Sequence, residues 1–200
     1  MRGTAALDVS GLPEFGFGHR SILWWATICL IAIEGTAFAL AIASYIYIKG
    51  RVPHWPPGFA SPRLLWGTTN LIVLLVSCVP NQLAKKASER FDVRGVQIWM
   101  VVCVAFAVAF NVIRIFEFSA LNVRWDSNAY GSAVYALLGF HTVHVLTDFV
   151  DTALLTVLFF TGPVDEHRFV DISENAMYWY FVVIAWIPIY AVIYLAPRVF

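Results

Sequence analysis

Residues 139–151 read GFHTVHVLTDFVD and run straight on into TALLTVLFF, residues 152–160. The stretch is apolar and unbroken enough to span a bilayer as a helix, yet it carries His141, His144, Asp148 and Asp151. The spacings of three, four and three residues place all four within roughly 80° of one another around a helix. An ionisable side chain at mid-membrane costs on the order of 2.5–3.5 kcal/mol on insertion scales. A stripe of four must therefore face other helices or water, and this helix must belong to a bundle.

The rest of the chain agrees. It has 200 residues, 60% of them hydrophobic and only 13% charged, whereas soluble domains carry about 25% charged residues. Five apolar runs are each near or above the roughly 20 residues a spanning helix needs: Ile22–Ile48, Leu64–Leu83, Val96–Phe118, Gly131–Phe160 and Asn175–Leu195. The first is too long for a signal-peptide core and is read as a retained helix. The fold class is all-α, an integral membrane bundle of five transmembrane helices over residues 22–200, preceded by a cytoplasmic segment, residues 1–21. Short connections imply antiparallel neighbours. KGRVPHWPPGFASP separates the first two helices, with prolines and glycines that end a helix. AKKASERFDVRG separates the next pair, Ser119–Tyr130 the third, and Thr161–Glu174 the fourth, with Ser173 as the expected cap of helix five.

Lysine and arginine set the orientation. With the N-terminus cytoplasmic, the inner segments hold Arg2, Arg20, Lys85, Lys86, Arg90, Arg94 and Arg168. The outer ones hold Lys49, Arg51, Arg63, Arg124 and Arg198. The cluster Lys85–Arg94 decides for N-terminus in. Trp24, Trp25, Tyr45, Tyr47, Trp55 and Tyr178–Tyr180 read as interfacial anchors. Cys29, Cys78 and Cys103 lie in apolar runs with no CxxC spacing and read as packing residues. Net charge is zero, which gives no reason to expect a nucleic-acid partner.

Other intramembrane polar groups join the stripe. Glu34 sits mid-way along helix one, where a bare carboxylate is too costly, so it is expected to be protonated or hydrogen-bonded in the interior or a cleft. Arg114 and Glu117 form an i,i+3 pair able to neutralise each other. Asn70 can hydrogen-bond across to a neighbour. Three readings of the polar groups stay open: a metal or haem site, a proton path, and a hydrogen-bonded seam that fixes helix register. No Glu-x-x-His pattern, copper-binding cysteine pair or nucleophile arrangement is present.

An ordered set of motifs resembles subunit III of the cytochrome c oxidases, members of the haem–copper oxidase complexes. Glu34 with Phe38 resembles the family's Ser-Glu…Phe motif. His54-Trp55-Pro56-Pro57 matches its HWPP loop. Asn70 leads LIVLLVS, and Glu117-Phe118 resembles a Glu-Tyr pair. Tyr130-Gly131-Ser132 and Gly139-Phe140-His141-x-x-His144-Val145 match YGS…GFHxxHV. Tyr178-Trp179-x-Phe181-Val182 resembles YWHFVD, with Tyr180 for the family's His and Val183 for its Asp. Asp148 and Asp151 stand where the family usually has small or apolar residues.

The resemblance implies the short five-helix form of a subunit without catalytic, cofactor-binding or metal-binding residues of its own. It implies haem and copper in a partner, catalytic subunit I, together with other oxidase subunits, bound phospholipid, and location in the bacterial inner (plasma) membrane. In that family the subunit steadies the catalytic subunit and supports proton uptake, which marks Glu34 as the proton-linked or lipid-cleft residue. A partner of a nitric oxide reductase or another respiratory complex, or a small transporter, are the alternatives. The pattern further suggests that an aspartate of helix four bonds Tyr180, as if polar partners had been exchanged between helices four and five.

Overall fold

The computed structural model describes residues 16–58 and 60–199; Arg2 and most of the expected cytoplasmic segment lie outside the described residues. Five helices follow one another: α1 (Ile22–Lys49), α2 (Leu64–Glu89), α3 (Val93–Ser119), α4 (Ala129–Thr161) and α5 (Glu166–Tyr190). A π-helical stretch, Ala191–Leu195, extends α5 into a closing helical turn, α6 (Ala196–Val199). Among the described residues there is no strand, and five helices are long and apolar enough to cross a membrane. The chain is an all-α, multi-pass membrane protein.

Polar residues start most of the helices by accepting backbone N–H groups that have no partner within the first turn. Ser21 accepts from Leu23 N at 3.1 Å, Asp92 from Gly95 N at 3.1 Å and Asn128 from Gly131 N at 2.8 Å. The fifth start corrects the sequence reading. Asp165, not Ser173, caps α5, accepting from Arg168 N at 3.3 Å. Helix five therefore begins nine residues earlier than its apolar run, and Ser173 lies buried inside it.

The core lies among α2, α3, α4 and α5, where Leu74, Phe110, Val134, Leu138, Trp186 and Ile189 are fully enclosed. α1 packs on α4 and α5 and buries only Phe38 and Tyr45. Its outer face presents Ile22, Ile33 and Leu40, with Cys29 exposed among them, so Cys29 is not the packing residue its sequence context suggested.

One end of the bundle is tied by its connections. Trp55 of the HWPP loop donates to Tyr45 OH at 3.0 Å and sets its ring edge-on to Tyr130, 4.9 Å between centroids. Asn122 bonds the carbonyl of Ala60, and Arg198 that of Pro62. A Cβ on Gly131 would lie 2.2 Å from the Arg124 carbonyl oxygen, so glycine lets the third connection lie against the first turn of α4.

Deeper in, Gly67 of α2 faces the ring of Tyr194, and a Cβ there would come within 2.6 Å of it. Gly67→Ala is expected to push the ring aside and cost about 1–3 kcal/mol, the usual range for overpacking. Unfolding by SDS titration reads the loss. In a Tyr194→Ala background the same substitution should cost almost nothing, as a double-mutant cycle would show.

Candidate functional site

Two polar constellations organise the interior, and α4 contributes to both. The first surrounds Arg114 and Glu117, one helical turn apart on α3, with Nη1 and Oε2 2.9 Å apart and each residue 1% exposed. Glu117 also accepts from Asn70 Nδ2 of α2 at 2.6 Å and from Tyr194 OH at 2.5 Å. The guanidinium lies over the Trp186 ring at 4.1 Å and the Phe110 ring at 4.7 Å. Its Nη2 donates to His141 Nδ1 at 3.2 Å.

That contact fixes the imidazole. Arginine can only donate, so Nδ1 accepts; Nε2 then carries the proton and donates to the Val182 carbonyl of α5 at 3.1 Å. Both ring nitrogens are engaged, so His141 has no lone pair left for a metal or a haem. His144 donates from Nδ1 to the Phe140 carbonyl of its own helix at 2.7 Å.

The second constellation begins where His144 Nε2 faces Glu34 Oε1 across 3.7 Å. Glu34 Oε2 accepts from Tyr178 OH of α5 at 2.7 Å, so the mid-helix carboxylate is hydrogen-bonded, one of the two states its position requires. Glu34 and Tyr178 border a cavity of about 580 Å³ between α1, α4 and α5. Asp148, Asp151, Asp171, Glu174 and Asn175 also line it, with Leu23, Leu30 and Leu155 as apolar wall. Asn175 Nδ2 donates to Asp151 at 3.0 Å, and its carbonyl oxygen accepts from Thr152 at 3.2 Å.

α4 runs unbroken through Gly139, and the four groups of its stripe share one face, with unequal burial. His141, His144 and Asp148 are buried; Asp151, at the edge of the 80° arc, is exposed at the cavity. Tyr180 is not the partner of either aspartate. Its hydroxyl donates to Gln82 of α2 at 2.6 Å. Val183 is buried in the apolar core.

Asp171 and Glu174 escaped the sequence reading because they fell in the expected fourth connection, and Asn175 because it stood as the first residue of the apolar run. The signal was present: Asp171, Glu174, Asn175 and Tyr178 follow the i, i+3, i+4, i+7 pattern of one helical face. Polar residues on that face masked a helix sought through its apolar content.

Comparison with known proteins bears on the same residues. A family model described as "Cytochrome c oxidase subunit III" matches residues 53–197. The chain belongs to the cytochrome c oxidase subunit III family. Relatives named cytochrome c oxidase subunit 3 include that of Thermostichus vulcanus, 24% identical over 99% of this chain and 100% of the relative. A second, from Synechocystis sp., is 25% identical over 89% and 77%. The probable subunit 3 of Mycobacterium tuberculosis is 29% identical over 96% and 98%. Within this subunit III chain, the residues that matched family motifs converge. Asn70 bonds Glu117, which with His141 meets Arg114, while His144 and Tyr178 both face Glu34 at the edge of the cavity.

Removing one member of a buried ion pair strands the other, at a cost of about 3–5 kcal/mol. Arg114→Met should lose stability on that scale in SDS titration. Arg114→Met combined with Glu117→Leu should recover much of it, since no bare charge then remains. A loss below about 1 kcal/mol for the single variant would show that the pair is not sealed from water.

Proposed function

We propose that this chain is the non-catalytic subunit III of a haem–copper terminal oxidase in an aerobic respiratory chain. It packs beside the catalytic subunit, steadies it during oxygen reduction to water, binds phospholipid and supports proton uptake. It spans the bacterial plasma membrane with its N-terminus in the cytoplasm. The carrying observation is the family match over residues 53–197, together with the way the matching motif residues engage one another.

The haems and copper belong to the partner. The chemistry of this chain's own donors supports that division, because both nitrogens of His141 are committed to Arg114 and Val182. Among the described residues, no three His, Cys, Asp or Glu side chains lie close enough to share one ion. The apolar outer face of α1 suits contact with lipid or a neighbouring subunit. An apolar groove of about 490 Å³ between α1 and α5, walled by Phe38, Ile42, Ile46, Phe181 and Ile184, has the lining an acyl chain requires. Glu34 stands one residue from that groove's Gly35, at the junction of apolar and acidic space.

Gentle solubilisation followed by affinity purification on this chain should bring down a haem-bearing companion with a Soret band. The subunit separated from it should show no Soret band and no stoichiometric metal. Purification free of any haem protein would overturn the oxidase reading in favour of a stand-alone membrane protein.

Orientation has its own test. Single cysteines placed between Lys85 and Arg94 should react with an impermeant maleimide only after the cytoplasmic face is opened. Labelling in intact cells would reverse the topology.

A further inference from the structure

The N-terminal half of α1 stands off the bundle. From Ile22 to Ala37 none of its residues is buried, whereas Ser21 just before and Phe38 just after are. That stretch rises about 24 Å along the helix. Beneath it lies the cavity walled by Leu23, Thr27 and Leu30 of α1, Leu155 of α4 and Asp171 of α5. At the deep end α1 is held by Phe38, which packs on Phe140 and Phe181, and by Glu34, which accepts from Tyr178. At the other end it is held by the segment that precedes it.

That segment, Phe17–Ser21, turns back from α1. Gly18, at φ +63°, reverses the chain. Ser21 N closes the turn on the Gly18 carbonyl at 2.8 Å, and Trp25 Nε1 donates to the His19 carbonyl at 3.1 Å. Phe17 is thereby carried to the connection between α2 and α3, where its ring meets Phe91 edge-on with centroids 5.8 Å apart. Phe91 meets Phe169 of α5 at 5.2 Å, and Phe169 meets Phe159 of α4 at 5.3 Å, both edge-on. Phe17 also rests on the apolar cluster that includes Leu155 of the cavity wall. The segment leaves α1 two residues from Leu23, and the aromatic row reaches α5 two residues from Asp171. It ties the α1 wall to the α5 wall at one end of the cavity. Phe91 sits at φ +57°, in the left-handed position after α2 where glycine is usual. A bulky residue there is sterically disfavoured, and its ring contacts with Phe17 and Phe169 are what the position gains.

We propose that Phe17–Ser21 is a releasable strap that sets access to this cavity. One half-buried ring makes the tie, and few buried contacts mean a low local stability. With Phe17 seated, α1 is tied down and entry is slow. With Phe17 released, α1 pivots about Glu34 and Phe38, and water and small cations enter beside Asp151 and Asp171. The strap's behaviour does not depend on the oxidase assignment.

The full chain, purified with its accompanying subunits in phosphatidylcholine nanodiscs, carries the test. Thr27→Cys, on the cavity wall, is combined with Cys29→Ser. Its reaction with the impermeant cation trimethylammonium-ethyl methanethiosulfonate is followed by peptide mass. Phe17→Ala should speed that reaction about fivefold or more, whereas Phe17→Tyr, which keeps the ring, should leave it unchanged. Phe91→Ala should act like Phe17→Ala, and the two together should do no more than either alone, since both break one contact. Native Cys103, on α3 away from the strap, should keep its rate throughout. An unchanged rate at residue 27 in Phe17→Ala would overturn the proposal, as would equal acceleration by Phe17→Tyr or additive effects of the two alanine substitutions. Equal acceleration at Cys103, the mark of general loosening, would overturn it too. If Phe91→Ala does not fold, the contrast between Phe17→Ala and Phe17→Tyr decides alone.

Discussion

A full ion pair sealed inside the bundle constrains everything around it. Arg114 and Glu117 are each 1% exposed, and desolvating two charges is repaid only when other donors and acceptors are in place. Each of α2, α4 and α5 brings something to the pair: Asn70, His141, Val182 and Trp186, with Tyr194 from the π-helical stretch. Shifting any of these helices by one turn would leave a charge or a buried nitrogen without its partner. The pair thereby fixes the mutual register of four helices that lipid, being as apolar as their side chains, cannot fix.

The same constraint explains part of the packing chemistry. Gly67 is small because the Tyr194 ring must pass close by to reach Glu117. The backbone widens to a π-helix at Ala191–Leu195, just past Pro188, where Tyr190 and Tyr194 stack 5.2 Å apart. Further polar ties between α2 and α5, from Trp179 to Ser77 and from Asn81 to the Ala176 carbonyl, keep the two helices aligned towards the other end.

The sequence showed the bundle because length and apolarity govern insertion into lipid, and those are properties of local composition. It showed the stripe on α4 because helical spacing alone decides which residues share a face. It did not show the partners. Tyr180 was matched with the aspartates through a supposed exchange with helix five, but it lies on the side of α5 that meets Gln82. Partner choice depends on helix rotation, which composition does not encode. The start of α5 was hidden for a related reason: Glu166–Glu174 is helix lined with charge, and part of that charge faces a cavity rather than bulk water. The aspartates of α4 belong with that charge, not with a compensating change elsewhere.

The way α1 is attached bears on how the chain is made. Apart from Tyr45, which meets Trp55 of the next loop, its inward contacts are with helices that come late: Phe38 meets Phe140 and His144 of α4 and Phe181 of α5, and Glu34 waits for Tyr178. Domains and segments leave the ribosome N-terminal first. Of the five helices, the first made is thus the last to find its helix neighbours, and until then it holds a carboxylic acid in lipid alone. Its apolarity, with a mean hydropathy of 2.0 across the spanning window, is what lets it wait there.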